Sequence, residues 1–482
     1  MKKFIVFILF FFVASFSIAQ DTPQKELIYT LKPTERVATF ENTLGVYQSR
    51  LGYMVVVEDQ DKNTRQYLVN QQSYGPYDRA TIEPPKMNNY HWGFTDAYKD
   101  SNIVAFDGYK FNRYPSFQHT SDLRITKNLS AYTIYNETLA EHKLTVNGVK
   151  YGPYANLVDY YLSPEGTTWA IEYFENVGTH YNFYIKFSSG KVIGPFSKIH
   201  EFALMNEDAW IVVADKKDTP SKSVGDRMVE QFHIITSRGD LGLFEKELVG
   251  QVYSPYRKLL YTKLNYGMNV IRNQQIFYMV NGELFGPYKE FVKQADLGVK
   301  PNRFNYVVGK DYTLFFRGEK SFAIHVRMFT VSDSSNSVAI VKSHPGTSID
   351  TLTINDKYFV GVYSGIANIT FVPETENFYF WIANNDGSYT LHTYVNNKVT
   401  EQQSYPITPQ KGKMPEVAFS PSMQHWGFVY YNGSERKVVV DNQEYPSGLI
   451  DEVDFYEENG KEYAFWLSLD SLKDIVLNRI GF

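Results

Sequence analysis

The sequence predicts an all-β fold, a β-propeller made of four-stranded blades of about 40 residues. Three observations predict it. The phrase "VNGVKYGPY" at 146–154 returns as "VNGELFGPY" at 280–288. A bulky residue follows each copy of the phrase at a nearly fixed spacing. Aromatic content is 16%, with 38 Tyr and 35 Phe, which favours strands because flat rings pack well on a pleated face.

The longer stretch "KLTVNGVKYGPYANLVDYYLSPEGTTWAIEYF" (143–174) parses into strands and short turns. Asn147-Gly148 lies between two short apolar runs, and a type I′ hairpin turn needs positive φ twice, which Asn-Gly supplies. Pro153 cannot donate to a ladder, so the Gly152-Pro153-Tyr154 segment belongs at a strand end or on an edge strand. "LVDYYL" reads as a strand, Ser163–Gly166 as a turn, and "TTWAIEYF" as a second strand with Trp169 near its centre.

The Gly-Pro half recurs at Gly75-Pro76, Gly194-Pro195 and Gly286-Pro287. Weaker copies keep an aromatic and a proline at Tyr114-Pro115, Tyr405-Pro406 and Tyr445-Pro446, and "INDKYFVGVY" (354–363) is a further copy. Tyr74 precedes Trp92 by 18 residues, Tyr151 precedes Trp169 by 18, Ile193 precedes Trp210 by 17, and Phe285 precedes Phe304 by 19. Phe359 to Phe378, Tyr405 to Trp426 and Tyr445 to Tyr463 continue the series, and Tyr53, Tyr132 and Leu260 fill its gaps. The one long step, between Phe304 and Phe378, leaves room for a copy near "NSVAIVKS" (336–343).

A single four-stranded blade cannot bury both faces, and blades arranged round an axis bury them on one another. The bulky residue of each second strand is therefore expected between blades. Sandwich domains run to ~100 residues and would not repeat at this period. Ten or eleven hairpins exceed the ~4–8 blades of a common ring, so one large ring and two rings in tandem both fit. The seams or insertions are expected near 216–226 and 322–349. The strand "ELIYTL" (26–31) is placed to complete the last blade and remove a bare edge.

"YLSPEGTTWAIEYF", "AFSPSMQHWGFVYYNGSERKVVVDNQEYP" and "FYEENGKEYAFWL" resemble the Ser-Pro-Asp-Gly hairpin of exported bacterial TolB-type propeller repeats. The resemblance covers most of 40–470. It implies the propeller and is nearly silent on function, because that repeat serves scaffolds, binders and enzyme appendages alike.

The first residues, "MKKFIVFILFFFVASFSIAQ", carry Lys2 and Lys3, an apolar run from Phe4 to Val13, and a small-x-small site at Ser17–Ala19. This is the pattern of a secretory signal peptide over 1–19, with the repeat region at 20–482, and the apolar run is shorter than the ~20 residues of a spanning helix. The chain has no Cys, so neither disulfides nor a lipobox anchor can contribute, and a large continuous core must hold the fold. Net charge is −5 and no basic run is long enough for a nucleic-acid stripe, so nucleic acid is excluded as a partner.

The sequence offers little chemistry. It contains no His-Glu-x-x-His, Gly-x-Ser-x-Gly, P-loop or Gly-x-Gly-x-x-Gly pattern. His91 and His425 each precede Trp-Gly-Phe, at one equivalent position of two repeats, which argues for a structural role. "SPEGTTW" (163–169) is a turn one residue short of a sialidase Asp-box. "DQDKN" (59–63) lacks the glycine and closing glutamate of a calcium loop, and "NNDG" (384–387) and "SRGD" (237–240) read as turns. The carboxylate groups Glu172/Glu175 and Asp451/Glu452/Asp454 could serve a glycosidase only if they converge on the channel. No catalytic, cofactor or metal-ligating residue is assigned, no cofactor is expected, and no enzymatic role is expected. The expectation is an exported, non-catalytic propeller, periplasmic in preference to the cell surface or exterior. Its partner would be an envelope or outer-membrane protein. A carbohydrate-binding or carbohydrate-active propeller, with a glycan as partner, is the alternative.

Overall fold

A computed structural model describes residues 23–482, less short internal stretches of which 247–258 and 298–303 are the longest. The expected signal segment and the pair Asp451/Glu452 lie outside the described residues. Among the described residues every regular element is an antiparallel strand, 70% of these residues are strand, and no helix occurs, so none is long and apolar enough to cross a membrane.

Among the described residues the strands group into eleven successive blades, at 46–78, 86–115, 118–154, 157–196, 198–245, 260–288, 292–320, 326–364, 366–405, 418–447 and 454–481 with 24–30. Seven are separate four-stranded sheets; the other four form two larger sheets, each a pair of blades bridged by a single residue pair, Ala97↔Asp78 and Glu245↔Ile271. Blade 4 shows the plan: Leu157–Leu162, Trp169–Val177, His180–Phe187 and Val192–Phe196 pair in chain order. The chain folds this way locally because the turn residues permit nothing else. Asn147 (φ 47°) and Gly148 (φ 80°) form the third turn of blade 3, and Asn281 (φ 50°) and Gly282 (φ 87°) that of blade 6. The Asn147 side chain also accepts a hydrogen bond from Ser130 N at 2.8 Å, the first residue of the second strand. Asn70, Asn281 and Asn355 repeat this bond to Tyr53 N, Tyr266 N and Val338 N. The asparagine thus closes a turn and caps a neighbouring strand at once.

The Gly-Pro phrase lies in the fourth strand of blades 1, 3, 4 and 6, at a bulge in its pairing with the third strand, and each Gly-Pro bond is cis. The glycine is required: at Gly194, with φ +127°, a Cβ would stand 2.7 Å from Phe183 O.

The spacings of 17 to 19 residues are contacts between blades. Tyr74 meets Trp92 at 5.2 Å between ring centroids, Tyr151 meets Trp169 at 4.7 Å and Phe285 meets Phe304 at 5.0 Å, while Ile193 packs into the cluster that holds Trp210. Each pair joins the fourth strand of one blade to the second strand of the next or, for Phe304, to the residue just before that strand. Blade 8 occupies the long step, with Val338–Ser343 as its second strand. Three assignments need correction. Leu260 lies in the short first strand of blade 6, and Tyr266 opens the second strand. Phe359 is 66% exposed, and Tyr363 makes the contact with Phe380 at 5.0 Å. In blade 11 Tyr445 packs on Trp466 at 5.2 Å, not on Tyr463. The period alone could not separate bulky residues a few positions apart, whether on two faces of one strand or on adjoining strands.

The apolar clusters form a closed circuit. Successive clusters join blades 1 and 2, 2 and 3, and so on to 9 and 10, and the last gathers Val438 and Tyr445 of blade 10, Trp466 and Leu477 of blade 11, and Val55 and Leu68 of blade 1. Eleven blades therefore close into one ring. The N-terminal strand Gln24–Thr30 pairs antiparallel with Asp474–Gly481 and supplies the fourth strand of blade 11. Within blade 5, residues 222–229 form a small hairpin inserted between the second and third strands.

Candidate functional site

First strands of consecutive blades approach one another, as Val326–Val331 does Ile366–Phe371 and Ala418–Phe419 does Asp454–Glu458. They line the axis and leave each fourth strand on the outer rim. In blades 3, 4, 5, 7, 8 and 9 this inner strand carries a register shift against the second strand. A bulge re-aims side chains, and the skipped residues include His200 in blade 5, beside Met205, and Arg327 in blade 8.

A cavity of about 570 Å³ opens on this wall between blades 1, 2 and 3. Tyr47, Pro85, Lys86, Met87, Leu123 and Arg124 line it. Burial pushes the Tyr47 phenol up to about 12, against the opposing pull of the Arg65 charge. Arg124 reaches out of the cavity into blade 4: it pairs with Asp159 at 2.8 Å, donates to Tyr160 O, and lies over the Tyr160 ring at 4.4 Å. Glu172 stands directly across the sheet from Asp159, is 7% exposed, and accepts from Tyr161 Oη at 2.8 Å. Burial raises the Glu172 pKa above the usual carboxylate range and the Asp159 charge adds to the rise, while the Tyr161 bond opposes it. Arg327 of blade 8 makes the equivalent link, to Asp350 at 2.5 Å within its blade and to Ile366 O of blade 9. These cations tie one inner strand to the next.

Blade 5 carries the other polar concentration. His200 Nε2 meets Asp215 Oδ1 at 2.9 Å, and Lys246 joins Asp215 at 3.2 Å and Glu230 at 3.0 Å. His233 Nδ1 meets Asp240 at 3.0 Å and Lys216 meets Asp240 at 2.6 Å. Burial would raise the Asp240 pKa, but the bonds from Lys216 and Gly242 N prevail and hold it below the usual carboxylate range.

The residues singled out in the sequence prove to be turn and core residues. His91 Nδ1 meets Asp107 Oδ2 at 2.6 Å while Asp107 Oδ1 accepts from Trp92 N, and His425 repeats both bonds with Asp441 and Trp426 N. These aspartates occupy the place that asparagine holds in other blades, so the histidine is the partner of a turn carboxylate. Ser163 Oγ accepts from Thr167 N and Thr168 N inside the "SPEGTTW" turn. Asp59 accepts from the backbone of Asp61 and Lys62 and pairs with Lys62, Asp386 accepts from Ser388, and Asp240 of "SRGD" is held as described. Glu172 and Glu175, three apart on a strand, point to opposite faces, and Glu175 is exposed. The inner-wall links were missed because Arg124 lies 35 residues from Asp159 and Arg327 lies 39 from Ile366; for the first, opposite charges one blade period apart were the available signal.

No family model matches the chain, and no curated protein matches it. Among solved structures it resembles a eukaryotic initiation factor at 11% identity and a TM-score of 0.31, over 66% of this chain and 98% of that one. It also resembles the β-propeller domain of the Trilobed protease from Pyrococcus furiosus at 15% identity and a TM-score of 0.26, over 70% of this chain and 98% of that one. A prolyl endopeptidase aligns at 9% identity and a TM-score of 0.29, over 74% of this chain and 54% of that one. Likenesses at these scores carry no functional implication.

Proposed function

We propose that this chain is an exported, non-catalytic propeller that serves as a protein-interaction or scaffold module in the cell envelope, with the periplasm as its compartment. One observation carries the reading: the ionisable groups of the inner wall bind neighbouring blades together. Arg124 paired with Asp159, and Arg327 bonded to Ile366 O, are the clearest cases. A catalytic wall would keep its acid and base facing the cavity, whereas Glu172, whose pKa is raised, is buried against Tyr161. The leader-like segment at 1–19 supports export. Cross-linking and co-purification of the full chain from its native cells test the proposal. A stoichiometric envelope protein is expected; recovery of the chain alone in every preparation, or hydrolysis abolished by Glu172→Gln, overturns it.

The carbohydrate reading draws on Tyr261, an exposed tyrosine on an inner strand that could stack on a sugar ring. A glycan array with the mature chain separates it from the first.

A further inference from the structure

The fourth strand of every blade is an outer edge, and a bare edge invites another strand. Sequence protects nearly all of them. Pro76, Pro115, Pro153, Pro195, Pro287 and Pro446 interrupt six outer strands. The outer strands of blades 5, 7, 9 and 11 carry Asp240, Glu319, Lys398 and Lys25. Blade 8 alone breaks the rule. Its outer strand, Tyr358–Ser364 (YFVGVYS), is seven residues long with neither proline nor charge. Tyr358, Phe359 and Val362 are 67%, 66% and 54% exposed, while the exposed large apolar residues of other outer strands occur singly, as Leu27, Val149 and Val192.

Such a strand, although bulged at Val360, offers an outer backbone edge and an uncharged apolar surface, so its complement is an extended segment with apolar side chains. A second copy of this ring fits poorly. Two convex rims would meet along one seven-residue strand, short of the ~1,000 Å² that a stable interface needs. A peptide segment needs only the ladder and a few side-chain contacts.

We propose that Tyr358–Ser364 is a docking edge, which an extended, uncharged apolar segment of the partner protein joins as a fifth strand of blade 8. This rests on the protein-binding reading above. The probe is an end-capped, fluorescein-labelled peptide of alternating Thr and Val, about seven residues long to match the ladder, titrated by anisotropy into the full mature chain. Saturable binding is expected. The double variant Tyr358→Lys/Phe359→Lys should weaken it at least about tenfold. Both side chains are exposed, so unchanged far-ultraviolet circular dichroism should show the fold intact. Methylating alternate peptide nitrogens, which removes ladder donors, should abolish binding. No binding, or binding indifferent to the lysines or to methylation, overturns the proposal. So does wild-type dimerisation in sedimentation velocity that the lysine variant loses, which would make a second copy the occupant. In native cells, cross-linking of the same partner to wild type and variant alike sinks the docking edge and leaves the protein-binding reading standing. Absence of any partner for either sinks both.

Discussion

Arg65 should be among the costliest single residues to replace. It is 3% exposed and lies between Glu58, 2% exposed in its own blade, and Asp96, 0% exposed in the next. Its guanidinium meets Glu58 at 3.0 Å and Asp96 at 3.8 Å and covers the Phe40 ring at 4.8 Å. Arg65→Met keeps the length and the ring contact but removes the cation from two buried carboxylates. At an effective dielectric near 20, each contact at this range amounts to about 4–5 kcal/mol before desolvation is subtracted. Breaking a buried pair nets about 3–5 kcal/mol. With a urea slope of about 3 kcal/mol/M, the midpoint at pH 7 should fall by about 1–2 M, followed by tryptophan fluorescence. The pH dependence fixes the mechanism. Without the cation, two buried carboxylates are left uncompensated, a cost that acid relieves, so the variant's deficit relative to wild type should shrink as pH falls from 7 to 5. A loss under about 1 kcal/mol, or an equal loss at both pH values, would refute the account.

Trp381, 0% exposed and edge-on to Phe428 of blade 10 at 5.0 Å, should lose about 3–5 kcal/mol on replacement by Ala in the same urea titration. Asn281→Ala removes a strand cap and puts a less tolerant residue at φ 50°, so about 1–2 kcal/mol should be lost, and the corresponding Asn→Asp change much less. His392 is 5% exposed, and burial lowers its pKa although Glu401 opposes. A depressed folded pKa gives stability that is present above the unfolded value and lost as pH falls through it, so His392→Phe should flatten the acid side of the thermal-melting profile below about pH 6.5. Burial raises the Glu172 pKa, so ionising it costs stability as pH rises; Glu172→Gln should leave the chain equally or more stable at pH 7, with the gain gone near pH 4.

The fold was legible because its determinants are local. Asn147-Gly148 dictates a turn from two residues, and Gly152-Pro153 dictates an edge strand, whichever ring contains them. The spacing from Tyr74 to Trp92 was legible as a period before it was a contact, since one blade interface repeats down the chain. Blade number was not legible, because ring closure depends on small rotations between blades that leave no mark in a forty-residue window. Leu260 and Phe359 misled for a related reason: bulk recurs on both faces of these strands, and only packing decides which ring turns inward. The polar wall stayed hidden because Arg124 meets Asp159 through a blade interface rather than along a strand.

The strand Gln24–Thr30 has a consequence for biogenesis. It emerges first during synthesis, yet its place exists only after the hairpin of Lys461–Asp470 and Asp474–Gly481 has been made. Ten blades can assemble from neighbours in sequence, while the eleventh must wait for the strands Gln24–Thr30 and Asp474–Gly481 to find each other. Whatever delays the early segment governs the moment of locking. A protease that nicks either extremity opens the same clasp.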